Sequence, residues 1–154
     1  MQLPHRITCL PAGFLINTTA SGQLSDSSLF VSEQFGLGGF NTVRGYDYRE
    51  VSRDEGYLIN LELRSPMLDS RDVLPKLTCK AELQLLTFWN FGYSRINDPG
   101  FLELTDIYVA SYGLGLRASV IDYFQTSVDF GWQLKDIEST AGSRWFHVNL
   151  TMVF

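Results

Sequence analysis

A chain of 154 residues, 45% of them hydrophobic, has enough apolar material for one core or for a lipid-facing surface. Its formal charge is -5, with acidic and basic side chains interleaved and no basic cluster, which excludes the footprint of a nucleic-acid binder. Aromatic residues at 14% and 13 glycines favour strands and tight turns over a helical bundle, and no uncharged apolar stretch approaches the roughly 20 residues of a membrane helix.

The first dozen residues stay unassigned: Pro4, His5, Arg6 and Pro11 interrupt any apolar run of export-signal length. A weak strand rich in Thr and Ser is expected over Phe14 to Leu24, followed by a long connection, Ser25 to Glu55. Gly56 to Arg64 then alternates, with Tyr57, Ile59, Leu61 and Leu63 on one face and Asn60, Glu62 and Arg64 on the other. From Lys76, the residues Leu77, Cys79, Ala81, Leu83, Leu85, Trp89, Phe91 and Tyr93 share an apolar face opposite Thr78, Lys80, Glu82, Gln84 and Asn90.

Leu104 to Val120 alternates more loosely, with Tyr108, Ala110, Tyr112, Leu114 and Leu116 against Ser111, Gly113, Gly115 and Arg117. Glycines on the polar face leave room for something beside it. Phe124 to Lys135 sets Phe124, Val128, Phe130, Trp132 and Leu134 against Gln125, Ser127, Asp129, Gln133 and Lys135. The last strand runs from Phe146 to the terminal Phe154.

Six strands result, joined by alternately longer and shorter connections, as in outer-membrane barrels. A soluble antiparallel sandwich or lipocalin-like barrel shows the same periodicity. Aromatic ends of the apolar faces (Trp89, Phe91, Tyr93) and charges on the polar faces favour the membrane.

The stretch Leu29 to Tyr46, LFVSEQFGLGGFNTVRGY, resembles the long extracellular loop of the TpsB transporters of two-partner secretion, the haemolysin secretion and activation family. Ser32 to Phe35, Leu37 to Gly39 and Thr42 to Tyr46 follow that family's SEQF, LGG and TVRGY blocks in order. Gly22 and Gln23, Glu62 to Pro66 and Tyr112 to Arg117 extend the likeness over nearly the whole chain. The resemblance implies an all-β, antiparallel transmembrane barrel of about sixteen strands, of which residues 13–154 would be the C-terminal portion. An open six-stranded sheet leaves unpaired edges in lipid, so the chain is expected to act as a fragment or split part of a larger transporter.

The resemblance further implies that loop 25–55 folds into the lumen and that Val43, Arg44, Gly45 and Tyr46 form its latch, with Gly38 and Gly39 shaping the fold. A guanidinium away from bulk water needs an anionic or hydrogen-bonding partner. The family's acidic partner sits in an FxDxG-like strand motif, where this chain reads Phe88, Trp89, Asn90, Phe91, Gly92. Asn90 stands in place of the Asp, so Glu62, inward by parity, is the candidate for the missing charge. Its alternative role is to pair with Arg64 or Arg117 alone. For Tyr46 and Phe40 the commoner role of such aromatics is plain packing under the loop.

No enzyme signature is present. His5 and His147 have no ligand spacing, Asp54 and Glu55 read as solvated loop acids, and Ser65 and Ser143 lack a His partner or nucleophile elbow. No cofactor is implied. Expected partners are a secreted exoprotein, outer-membrane lipid in a Gram-negative-type bacterium, and the barrel assembly machinery through the Phe154 strand. An insertase barrel, a soluble binding module and a gene remnant are the competing readings.

Overall fold

The computed structural model describes residues 5–69, 81–101, 104–120, 124–135 and 144–152. Its strands are β1 (Arg6–Cys9), β2 (Leu15–Gln23), β3 (Phe35–Leu37), β4 (Val51–Arg53), β5 (Glu55–Arg64), β6 (Leu68–Asp69), β7 (Ala81–Arg95), β8 (Asp106–Val120), β9 (Phe124–Gln133) and β10 (Arg144–Met152). One antiparallel sheet runs β1-β2-β5-β7-β8-β9-β10, with β6 beside β7, and β3 pairs with β4 in a separate ribbon. The described residues contain no α-helix. The fold is therefore all-β, as the alternation implied, and among the described residues the sheet does not close: β1 and β10 are its edges.

All six expected strands are present. β1 was not foreseen because RITC is too short to display a period, and it pairs Arg6 with Thr18 through Cys9 with Leu15. The ribbon of β3 and β4, three residues each, escapes periodicity for the same reason. β2, β5, β9 and β10 have 9 or 10 residues and β7 and β8 have 15, each near or above the roughly 9–11 that cross a bilayer when tilted. Cys79, His5's neighbours before residue 5, Ser143 and Phe154 lie outside the described residues.

The sheet is apolar on its open side. Leu61, Leu63, Leu85, Trp89, Tyr112, Leu114 and Leu116 are exposed, whereas their strand neighbours Asn90, Ser111 and Asp129 are completely covered. A soluble sandwich would bury the first set, so this inverted distribution is that of a surface built for lipid. Aromatic rings cross the sheet at the end bearing the long loop: Tyr57 stacks on Tyr93 at 5.4 Å and Tyr112 on Trp132 at 5.4 Å. Such a band belongs at a membrane interface. Ala81 and Ala110, expected on the outward face with the larger apolar residues, are instead covered; Ala110 is short and lies between Tyr108 and Tyr112 on its strand.

The inner side is covered by residues 24–54. Leu37, Val43, Tyr46 and Val51 of this loop pack with Leu58 of β5 and Val109 of β8, and Phe35 and Ile107 lie against them. The hydrophobic core thus joins loop to wall. Glycines make the approach possible: Leu37 and Val43 lie over Gly92, and the backbone of Arg44 and Gly45 lies over Gly131.

Candidate functional site

The tip of the loop turns on glycines. Gly38, Gly39 and Gly45 have φ of 111°, 99° and 97°, the left-handed region that an L side chain resists. Thr42 Oγ1 donates to the Gly38 carbonyl at 2.7 Å and accepts from Gly38 N–H at 2.9 Å, closing the turn. This geometry presents Val43, Arg44, Gly45 and Tyr46, all buried, to the inner wall.

The wall beneath is laid out by strand register. Glu62 of β5 is level with Phe88 of β7, which faces Gly113 of β8 and then Gly131 of β9. Asn60, Asn90, Ser111 and Gln133 form the next row, and Arg64, Leu86, Gly115 and Asp129 the row on the other side. Arg44 stands over the middle row. Its Cζ lies 3.7 Å from the centre of the Phe88 ring, a cation–π contact.

Polar partners surround the guanidinium. Arg44 Nη1 is 2.7 Å from Glu62 Oε1 and 3.2 Å from Asp129 Oδ2. Arg44 Nε and its backbone N–H both donate to Asn90 Oδ1, at 3.2 and 3.3 Å, while Asn90 Nδ2 donates to Asn60 Oδ1 at 2.8 Å. Each carboxylate also has a second arginine: Arg64 donates to Glu62 at 2.6 Å, and Arg117 grips both oxygens of Asp129 at 2.5 and 3.0 Å. Glu62 thus meets Arg44 and Arg64 together. Parity set Asp129 on the inward face but gave no reason to connect it with Arg44, 85 residues away.

Tyr46 is more than packing. Its hydroxyl donates to the Lys135 carbonyl at 2.6 Å and accepts from Ala110 N–H at 3.4 Å, tying the loop across the ends of β8 and β9. Phe40 lies beside Arg117, its ring centre 5.9 Å from Cζ. A polar recess of about 300 Å³ opens at the tip between Asn17, Asn41, Arg44, Glu62 and Arg117.

The root of the loop corrects one expectation. Asp54 is fully covered instead of being a solvated loop acid. Its Oδ1 accepts from Leu29 N–H at 2.8 Å and Gln34 Nε2 at 3.2 Å, and its Oδ2 from Asn97 N–H at 2.8 Å. Burial pushes its pKa up, but those three donors and the nearby Arg53 charge outweigh it and hold the carboxyl below the ordinary value. The described residues hold no group of three or more His, Cys, Asp or Glu side chains suited to a metal.

An apolar outward face, a charged inward face and a loop folded onto the latter define a segment of an outer-membrane-type β-barrel. The family model described as haemolysin secretion/activation protein ShlB/FhaC/HecB matches residues 5–118, and the chain belongs to that family. Among curated relatives, a heme/hemopexin transporter protein HuxB of Haemophilus influenzae is 27% identical over 149 residues, and the protein of that name from strain 86-028NP is 40% identical over 149. Both matches cover 94% of this chain and 25% of the relative, so the chain spans about a quarter of the length of these proteins. The family is one of secretion and activation proteins, not of enzymes.

Proposed function

We propose that this chain is the C-terminal barrel portion of an outer-membrane transporter that passes a partner exoprotein to the cell surface, and that loop 24–54 is its latch. The observation that carries the reading is the buried Arg44, held between Glu62 and Asp129 on the polar side of a sheet whose other side is apolar. The relatives' name makes a haem- or hemopexin-handling exoprotein the first cargo to try. Lipid would contact the exposed leucines and aromatics, the unpaired edges of β1 and β10 would meet the remaining strands, and Phe154 would address the barrel to its assembly machinery.

Arg44 is suited to a releasable hold. Removing it leaves Glu62 with Arg64 and Asp129 with Arg117, so neither carboxylate is stranded in the wall. Arg44→Ala in the full-length transporter should abolish most secretion of the partner, while the barrel still inserts and keeps its heat-modifiable migration on gels. Secretion at the normal level with a correctly inserted barrel removes the loop from the mechanism.

A further inference from the structure

The loop is fastened at its root as well as at its tip, and one carboxylate gathers the fastening. Asp54, at the junction of β4 and β5, binds Leu29 and Gln34 on the outgoing limb and Asn97 in the connection from β7 to β8. Gln23 at the end of β2 donates through Nε2 to the Asp54 carbonyl at 3.1 Å and to the Glu33 carbonyl at 2.8 Å. Asn97 Nδ2 donates to the carbonyls of Ser25 and Ser27, at 2.8 and 3.2 Å. Three segments, 23–34, the β4–β5 junction and the β7–β8 connection, therefore meet around a side chain with no solvent exposure.

We infer that Asp54 is a positioning residue that locks loop 24–54 to the neighbouring β7–β8 loop, so that Arg44 is delivered to the wall from a fixed root. The inference rests on the latch reading and adds a second loop to it. Its chemistry is specific. Every side-chain partner of Asp54 is a donor, and each oxygen faces a backbone N–H, from Leu29 on one side and Asn97 on the other. An ionised carboxylate is acceptor-only and satisfies both. An asparagine of the same shape places its amide NH₂ against one of those N–H groups in either orientation, so shape alone cannot keep the clasp.

The test uses the full-length transporter in outer-membrane vesicles with the cell-surface side accessible to protease. Asp54→Asn should speed cleavage within both 24–34 and 96–101 by about tenfold or more, the scale of a lost buried charge-assisted hydrogen bond, with heat-modifiable migration retained. Secretion should fall while barrel insertion is unchanged, because Asp54 acts through the placement of Arg44; simple barrel damage would lower both. Gln34→Ala with Asn97→Ala leaves the carboxylate and both backbone donors and should give an intermediate acceleration. If Asp54→Asn is not recovered in membranes, that pair decides the matter. Wild-type protection of either loop in the deciding variant overturns the inference. Loosening of both loops beside normal secretion by Arg44→Ala would instead keep the clasp and remove the secretion reading.

Discussion

Arg44 meets two carboxylates on different strands, and each of those is already gripped by another arginine. In this cluster three guanidiniums face two carboxylates, leaving one positive charge in excess. Asp129→Asn should therefore weaken the hold on the tip, read as faster thiol labelling of a cysteine introduced at Val43, which is fully covered in the docked loop. Asn90→Asp in that background should restore protection, since Asn90 Oδ1 already accepts two hydrogen bonds from Arg44 and would accept them with charge assistance. If the second substitution leaves labelling unchanged, the charge is not what holds the loop. Asn90 was legible beside Arg44 because the resemblance marks its place in the FxDxG-like segment and parity turns it inward, and Glu62 because parity sets it on the same face. Asp129 was not, because parity carries no information about height on the wall; that depends on register across β7 and β8.

At the scale of elements, the loop reaches the sheet because the sheet is hollowed by glycine. A Cβ on Gly45 would lie 3.4 Å from the Gly131 backbone and would also require an L residue at a φ of 97°. Gly45→Ala should thus cost about 1–2 kcal/mol in backbone strain at the tip, checked as a lower midpoint for loop protection in urea with barrel migration unaltered. The root has a pH dependence of known sign. Asp54 has a folded pKa below its ordinary 3.8, so the stability it contributes is present above that value and lost as pH falls through the lower folded one. Loop protection should hold from neutral pH to about 4 and decline below it, and Asp54→Asn should flatten that decline. The inward glycines of β8 were readable from alternation, whereas the clasp was not: Leu29, Gln34, Asp54 and Asn97 lie in irregular segments that no period organises.

For the whole molecule, alternation gave the strands but left open which side faces what, since a sandwich core and a lipid surface read alike. The exposed leucines settle that, and a substitution measures it. Leu114 is 58% exposed near the middle of β8. Leu114→Lys should cost roughly 2–4 kcal/mol if it faces the bilayer midplane and impair insertion, whereas a water-exposed site would tolerate it. On the proposed reading, the loop that lies on the inner wall must let go for transport. A Cβ on Gly45 would lie 3.4 Å from Ser111 Cβ on the wall, close enough for a disulfide. Gly45→Cys with Ser111→Cys, in a full-length transporter whose Cys9 and Cys79 are changed to Ser, tests it by secretion before and after reduction. The expected result is a cross-link that forms under oxidation and stops secretion until a reductant restores it; a pair that never cross-links, or a cross-linked transporter that secretes normally, contradicts it.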